Sequence, residues 1–204
     1  MAGLLGAINL YTLTGQYNQA LQYMDACLEL LNPQQMEWVV LSLRKANLYT
    51  MAYAQTLDEE YFKKALALME EIVKIMPQNY TAMNNLAYLL ADNNQELDKA
   101  LEYARKACQN ELGNPVFLDT YAYIQCLLGN YEDAQQSLHR AIQLHEAQNE
   151  PIPWEVHKHL GMAQEGLKKT PEAVASYQRA IESADIPAKE KEALDQKIRD
   201  LIQL

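Results

Sequence analysis

A seven-residue phrase occurs twice in this 204-residue chain, as Thr14–Ala20 (TGQYNQA) and as Leu128–Ala134 (LGNYEDA). Both copies place Gly, Tyr and Ala at the same relative positions, 114 residues apart. This arrangement carries no catalytic chemistry, because Gly permits a tight turn, Tyr supplies a large apolar ring and Ala allows close helix approach. The phrase is therefore architectural, and its recurrence predicts a fold that is built from repeated units.

The alanine that closes the phrase marks the period. In five places an alanine is followed by an apolar residue four positions later and by a small or apolar residue three positions after that. The five sets are Ala20–Met24–Cys27, Ala65–Met69–Ile72, Ala100–Ala104–Ala107, Ala134–Leu138–Ala141 and Ala173–Tyr177–Ala180. Spacings of four and three put each set on one face of a helix. The steps between units are 45, 35, 34 and 39 residues.

A second pattern precedes the helices so defined. A bulky residue is followed directly by a small one at Leu86-Ala87, Tyr121-Ala122 and Leu160-Gly161. A large side chain beside a small one lets two antiparallel helices approach closely, so each unit is predicted to be a helical hairpin. With a late proline such as Pro77 and a period near 34 residues, the chain resembles the tetratricopeptide repeat family.

The resemblance implies an all-α, right-handed superhelical solenoid of about five helical hairpins plus a C-terminal capping helix. We expect one domain, 1–204, with units at 1–33, 34–78, 79–113, 114–149 and 150–185 and a cap at 187–204. Two turns depart from the family pattern, because Glu60 and Asn94 replace the turn glycine. In the cap, an apolar stripe is predicted from Ala193, Leu194, Ile198, Leu201 and Ile202.

The periodicity predicts eleven helices. Their expected ranges are 2–14, 18–31, 35–56, 60–75, 80–92, 97–110, 115–128, 131–145, 153–166, 171–184 and 188–203. Asn114-Pro115 and Thr170-Pro171 are each typical of an N-cap followed by proline at the first helical position.

By analogy with the family, residues flanking the bulky–small pair line a concave, peptide-binding groove. The predicted groove residues are Tyr49, Tyr53, Asn84, Tyr88, Asp119, Tyr123, Lys158 and Met162, preceded by Leu5 and Asn9 in the first unit. Tyr53, Tyr88 and Tyr123 are expected to form a ladder that offers broad contact area and hydrogen-bonding tips. The alternative is that these rings only fill space between adjacent first helices.

The charges near this groove favour a neutral or basic segment. The first three predicted units do not supply the two cations with which some family members clamp a carboxylate. Acidic residues accompany the groove instead, at Asp92, Asp119, Glu155 and Glu165. A net charge of −10 and a pI near 4.9 argue against nucleic acid, which requires a basic surface.

Nothing in the sequence predicts an enzyme, a cofactor or a metal site. His157 and His159 point to different helix faces, while His139 and His145 are expected on the solvated surface. Cys27 and Cys108 are expected to be small buried hydrophobic residues. No secretion signal or membrane-spanning segment is evident, so a soluble, cytoplasmic location is the default expectation.

The predicted function is that of a protein-interaction scaffold that binds a peptide or protein segment in the groove. The alternative is a structural module that self-associates through its N-terminal helix. The segment AGLLGAINLYTL is apolar almost all round. It predicts that a native neighbour or a second copy covers this helix, as in a fragment of a larger protein.

Overall fold

The computed structural model describes residues 2–203. Within that range the regular secondary structure consists of α-helices joined by short loops. The helices are α1 (Ala2–Leu13), α2 (Tyr17–Leu28), α3 (Met36–Thr56), α4 (Glu59–Ile75), α5 (Tyr80–Asp92), α6 (Leu97–Asn110), α7 (Pro115–Leu127), α8 (Tyr131–Gln148), α9 (Trp154–Gly166), α10 (Thr170–Ile181) and α11 (Ala188–Ile202). Each of the eleven predicted helices is present, with ends shifted by at most three residues. Met1 and Leu204, the ends of the predicted domain, lie outside the described range.

The chain divides into two compact units, with the division between Leu89 and Leu90 near the end of α5. In the first unit, α1 pairs with α2, α2 packs on α3, and α3 pairs with α4. In the second unit, the pairs α7–α8 and α9–α10 are joined by α8–α9 packing, with α6 on α7 and α11 on α10. The predicted organisation into helical hairpins is confirmed within each unit, and the single-domain boundary stays a prediction.

The repeated phrase forms a helix-ending turn. Gly129 has φ +81° in the left-handed region. Its N–H donates to the carbonyl of Cys126 at 3.1 Å, and the next N–H, of Asn130, donates to the carbonyl of Gln125 at 2.9 Å. This pair of bonds is the Schellman motif, which satisfies the last carbonyls of a helix. Gly15, Asn94 and Lys168 end α1, α5 and α9 with the same pattern.

Asn94 has φ 51° and replaces the turn glycine as predicted. The prediction for Glu60 was wrong, because Glu60 lies inside the first turn of α4, where its N–H donates to the Asp58 carboxylate at 3.0 Å. Leu57 is the left-handed residue in this turn, with φ 57°. Only two residues, Leu57 and Asp58, connect α3 to α4. Leu57 directly follows the end of α3 and is the residue that reverses the chain.

Helix starts follow the predicted chemistry at one of two sites. The Asn114 side chain accepts from the N–H of Val116 at 3.1 Å, and Pro115 is the first residue of α7. Thr170, predicted as an N-cap, is instead the first residue of α10, and the N-cap is Lys169. In the described chain, Lys169 makes no capping bond through its side chain.

The repeated alanines and their partners form the cores. In the first unit, the largest fully buried side chains of the core around α1 and α2 are Ile8, Met24 and Leu48. In the second unit, one cluster joins Ala122, Leu138 and Leu160 across α7, α8 and α9. Close packing explains the small residue of the Leu160-Gly161 pair, because a Cβ built on Gly161 would lie 2.4 Å from the Tyr177 ring.

The C-terminal cap is buried through part of its predicted stripe. Leu194 and Ile198 of α11 are buried against Tyr177 and Ala180 of α10, and Leu201 packs beside them. Ala193 and Ile202 face solvent instead. Over residues 2–203, none of the helices combines the length and the apolar character needed to cross a bilayer.

Candidate functional site

Two predicted groove residues of the second unit, Asp119 and Tyr123, form a cluster with a third side chain, His159. Asp119 of α7 is buried, and its Oδ1 accepts a hydrogen bond from Nδ1 of His159 on α9 at 2.8 Å. The His159 ring stacks on Tyr123 with ring centroids 4.4 Å apart and an interplanar angle of 16°. The Asp119–His159–Tyr123 cluster therefore joins α7 to α9 and fixes the orientation of the Tyr123 ring.

Local helix geometry explains how the cluster forms. Asp119, Tyr123 and Cys126 are spaced by four and three residues, so they follow one face of α7. The Cys126 thiol lies 3.8 Å from the carbonyl oxygen of His159, which is a further link to α9. Because His159 is buried, its ring is held by Asp119 and Tyr123 and not by solvent.

Two acidic side chains, Asp92 and Glu190, act on Tyr123. Removal from water raises the pKa of the Tyr123 hydroxyl to about 12, and the charges of Asp92 and Glu190 act in the same direction. Desolvation also raises the pKa of Asp92, although this side chain remains exposed and Lys158 partly offsets the rise. The half-buried Glu155 has a raised pKa for the same main reason, with the nearby Asp119 adding to it. This part of the unit therefore holds carboxylates at an electrostatic cost.

The one predicted cation of the site is already engaged. Nζ of Lys158 lies 2.7 Å from Oε2 of Glu190 on α11 and 5.4 Å from the centroid of the Trp154 ring. Lys158 therefore links α9 to the capping helix, and the carboxylates of Asp92, Glu155 and Glu190 outnumber it. Met162 is half-buried and packs against the core clusters on both sides of α9.

Glu165 is occupied by intramolecular contacts. Its carboxylate accepts from the Tyr177 hydroxyl at 2.8 Å and lies 2.6 Å from Nζ of Lys197. These two contacts tie α9 to α10 and α11. The carboxylate of Glu165 therefore stabilises the packing of these helices.

The predicted tyrosines of the first unit contact α4. The Tyr49 ring lies 6.2 Å from the Tyr61 ring, and Lys45 lies 5.6 Å from the centroid of Tyr49. The Tyr53 ring lies 5.6 Å from that of the buried Phe62.

The Tyr53 hydroxyl lies 3.3 Å from the Glu59 carboxylate. Both Tyr49 and Tyr53 are half-buried, which leaves part of each ring accessible. Asn84 is buried and Tyr88 is half-buried on α5. The ladder of Tyr53, Tyr88 and Tyr123 stays a prediction.

Two histidines differ from sequence-based expectation. The sequence predicts His145 on the solvated surface, but this side chain is only 3% exposed on α8, which continues to Gln148. His159 was not identified as a site residue. The Asp119–His159 contact joins residues 40 positions apart, and no local sequence pattern signals such a pair.

Comparisons of this chain with known protein families and solved structures agree with this fold. The profile of the tetratricopeptide repeat family matches residues 57–115 and 128–187, which is more than half of the chain. No curated protein sequence matches significantly. The chain belongs to the tetratricopeptide repeat family, whose members are helical scaffolds that bind proteins.

Solved structures of similar fold include three informative cases. A thermophilic TPR protein from Thermus thermophilus is 20% identical, with a TM-score of 0.65, covering 98% of this chain and 97% of its own. PilW, a type IV pilus biogenesis factor, is 17% identical, with a TM-score of 0.72, covering 96% and 83%. MamA (AMB-1) is 16% identical, with a TM-score of 0.58, covering 94% and 96%. At these identities the likeness concerns the fold.

Proposed function

We propose that this protein is a scaffold whose second unit binds a neutral or basic protein segment on the α7–α9 face. The observation that carries the proposal is the Asp119–His159–Tyr123 cluster. A buried carboxylate and a buried imidazole hold one aromatic ring in a fixed orientation beside an excess of carboxylates. Such rigidity lowers the entropy cost of binding.

The chemistry of the bound segment follows from the surrounding charges. Lys158 is paired with Glu190 and only partly offsets the charge of Asp92, so the carboxylates of this part of the unit, which include Glu155, outnumber Lys158. A Lys or Arg side chain would lower the electrostatic cost of keeping them ionised, whereas an acidic segment would raise it. The accessible part of the half-buried Tyr123 side chain would contact the apolar part of the same segment.

The first experiment is a peptide selection on the intact chain, followed by fluorescence anisotropy with the enriched peptides. We expect those peptides to carry net positive charge, and we expect Tyr123→Ala to weaken binding about tenfold or more, as removal of a central aromatic contact usually does. Tyr103→Ala is the matched control, because Tyr103 is a half-buried tyrosine on α6 in the same unit. Equal binding by wild type and Tyr123→Ala, or enrichment of acidic peptides, would refute the proposal.

Self-association through α1 is the second candidate function. Leu10 and Leu13, three residues apart on α1, are 59% and 86% exposed, so they present neighbouring apolar side chains to solvent. Ile8 lies in the core at 0% exposure, so it is unsuitable as a test position. We expect Leu13→Glu to reduce the sedimentation coefficient at high concentration, with Leu112→Glu, 76% exposed beyond α6, as control. A wild-type chain that stays monomeric at every concentration would eliminate this function.

A further inference from the structure

One face of α1 is open to solvent along nearly the whole helix. Gly3, Gly6, Leu10 and Leu13 are all exposed, and their spacings of three, four and three residues place them on that one face. A Cβ added to Gly3 or to Gly6 would find no atom within 4 Å. These four residues form the outer stripe of α1, which therefore consists of two small residues followed by two large apolar ones.

The equivalent face of two later helices is buried. The register of the repeated alanines aligns positions 3, 6 and 10 of α1 with positions 114 and 153 residues further on, in α7 and α9. The residues there are all buried, and they are Phe117, Thr120, Ile124, Val156, His159 and Ala163. Val156 and Ala163 share a core cluster with Leu138 of α8, the helix that precedes α9. The outer stripe is thus the face with which a unit of this fold packs on another helix.

The order of residues in the outer stripe is complementary to itself. When two copies of α1 lie antiparallel about a two-fold axis at the middle of the stripe, Gly3 of one copy faces Leu13 of the other, and Gly6 faces Leu10. Each leucine then meets a glycine, which allows the close approach that Gly161 allows within the second unit. A parallel pair would instead set leucine against leucine and glycine against glycine. Self-complementarity is what a two-fold interface requires.

The distribution of charge also favours two copies of α1 as partners. Helix α1 contains no Asp, Glu, Lys or Arg, so no like charges on the two helices oppose their contact. Arg44 of α3 bonds to Asn9, which lies about 80° around the helix from the centre of the outer stripe, so this cation flanks the stripe. The exposed side of α11 carries Lys191, Glu192 and Arg199. Head-to-tail packing of α1 on α11 would bury such charges against leucines, which is costly.

We propose that the outer stripe of α1 docks antiparallel on the same stripe of a second copy of this chain. The proposal rests on the second candidate function, self-association through α1, and specifies its geometry. One 12-residue helix from each copy buries less surface than the roughly 1,200–2,000 Å² of a stable complex, so the dimer forms only at high protein concentration. Because the two-fold pair uses both stripes, it closes at two copies and does not extend into a filament.

Disulfide cross-linking tests the direction of the two helices. Positions 3 and 13 are about 15 Å apart along α1, so in an antiparallel pair each lies beside the other position of the partner and about 15 Å along the axis from its own counterpart. Gly3→Cys and Leu13→Cys are oxidised separately and as a mixture, and we expect a cross-linked dimer only in the mixture. Oxidised wild type is the control, because its own three cysteines are buried or half-buried. Cross-links in each separate sample would show parallel pairing, which overturns the proposal and leaves self-association through α1 intact.

An exchange of residues tests the packing of leucine against glycine. Gly6→Leu sets a leucine against Leu10 of the other copy and should weaken dimerisation at least about tenfold in sedimentation equilibrium. Gly113→Leu, at a glycine with equally open surroundings in the α6–α7 loop, should leave dimerisation unchanged. The double variant Gly6→Leu/Leu10→Gly again opposes a leucine to a glycine and should recover wild-type dimerisation. The added side chain at position 6 meets no neighbouring atom, and leucine favours the helix over glycine, so Gly6→Leu keeps the fold.

The possible results separate the proposal from the candidate function. Equal dimerisation by wild type and Gly6→Leu would overturn the proposal, as would a double variant that stays monomeric. A wild-type chain that remains monomeric at every concentration would remove both the proposal and self-association itself. Wild-type dimers that Leu13→Glu does not weaken would assign the contact to another surface, which also overturns both.

Discussion

Replacement of Gly161 by alanine tests the packing that the repeated pattern encodes. A Cβ at position 161 would lie 2.4 Å, 2.5 Å and 2.9 Å from Cε1, Cδ1 and Cζ of Tyr177. Carbon atoms in contact normally lie about 3.5–4.0 Å apart, so the ring would have to move by about 1 Å or more. Tyr177 is only 1% exposed and packs against Ala180 and Leu194, so no free space receives it.

The magnitude follows from three contributions. Overpacking of a core typically costs about 1–3 kcal/mol. Displacement of the Tyr177 ring would also strain the 2.8 Å hydrogen bond that its hydroxyl donates to the Glu165 carboxylate. A hydrogen bond to a charged group contributes about 1.5–3 kcal/mol. Alanine regains about 1 kcal/mol of helix propensity. We expect a net loss of about 2–4 kcal/mol, or about 5–15 °C in Tm for a chain of this length.

Urea and thermal unfolding followed by far-UV circular dichroism measure this effect. Gly6→Ala is the matched control, because Gly6 lies within α1, is exposed, and has no atom within 4 Å of its added Cβ. That variant should gain about 0.5–1 kcal/mol from helix propensity alone. The same substitution of glycine by alanine is thus expected to lower the free energy of unfolding at position 161 and to raise it at position 6. A Gly161→Ala protein that is as stable as wild type would refute the packing argument.

Three further predictions concern ionisation and backbone strain. Glu155→Gln should raise Tm at pH 7, because burial raises the pKa of Glu155 and so disfavours its ionised form in the folded state. This gain in Tm should vanish as the pH falls below about 4, because the carboxyl group is then protonated in the unfolded state as well. Unchanged Tm at pH 7 would contradict this reasoning. Gly129→Ala should lose about 1–2 kcal/mol in urea unfolding solely through its φ of +81°, since no atom lies within 4 Å of the added Cβ; a neutral result would exclude strain there. Burial raises the pKa of the Cys108 and Cys126 thiols to about 12, so both should react slowly with a disulfide reagent at pH 8 until urea is added; native reaction at the unfolded rate would show that they are accessible.

Helix positions were predictable because local patterns specify them. The alanine sets recur at spacings of four and three, and each lies on the buried face of a second helix, as Ala134, Leu138 and Ala141 do. Gly129 and Asn114 mark a helix end and a helix start because their own backbone and side-chain chemistry requires no distant partner. Leu57 escaped prediction, because nothing in a leucine side chain indicates a left-handed backbone.

The candidate site was only partly predictable. The repeat register predicted Asp119 and Tyr123 on one face of α7, but it did not reveal that His159 contacts both of them from α9. It also did not reveal that Tyr49 and Tyr53 contact rings on α4, or that Glu190 from the capping helix pairs with Lys158. Each of these contacts depends on where a side chain of another helix lies.

The sequence by itself determined the all-α class, the five-fold repeat of small residues and the family, because periodicity and turn chemistry are properties of neighbouring residues. Only the tertiary structure decided which polar groups meet. Asp119 and His159 become partners because α7 and α9 pack side by side. Such juxtapositions arise from helix packing angles and side-chain rotamers, which a linear pattern does not contain.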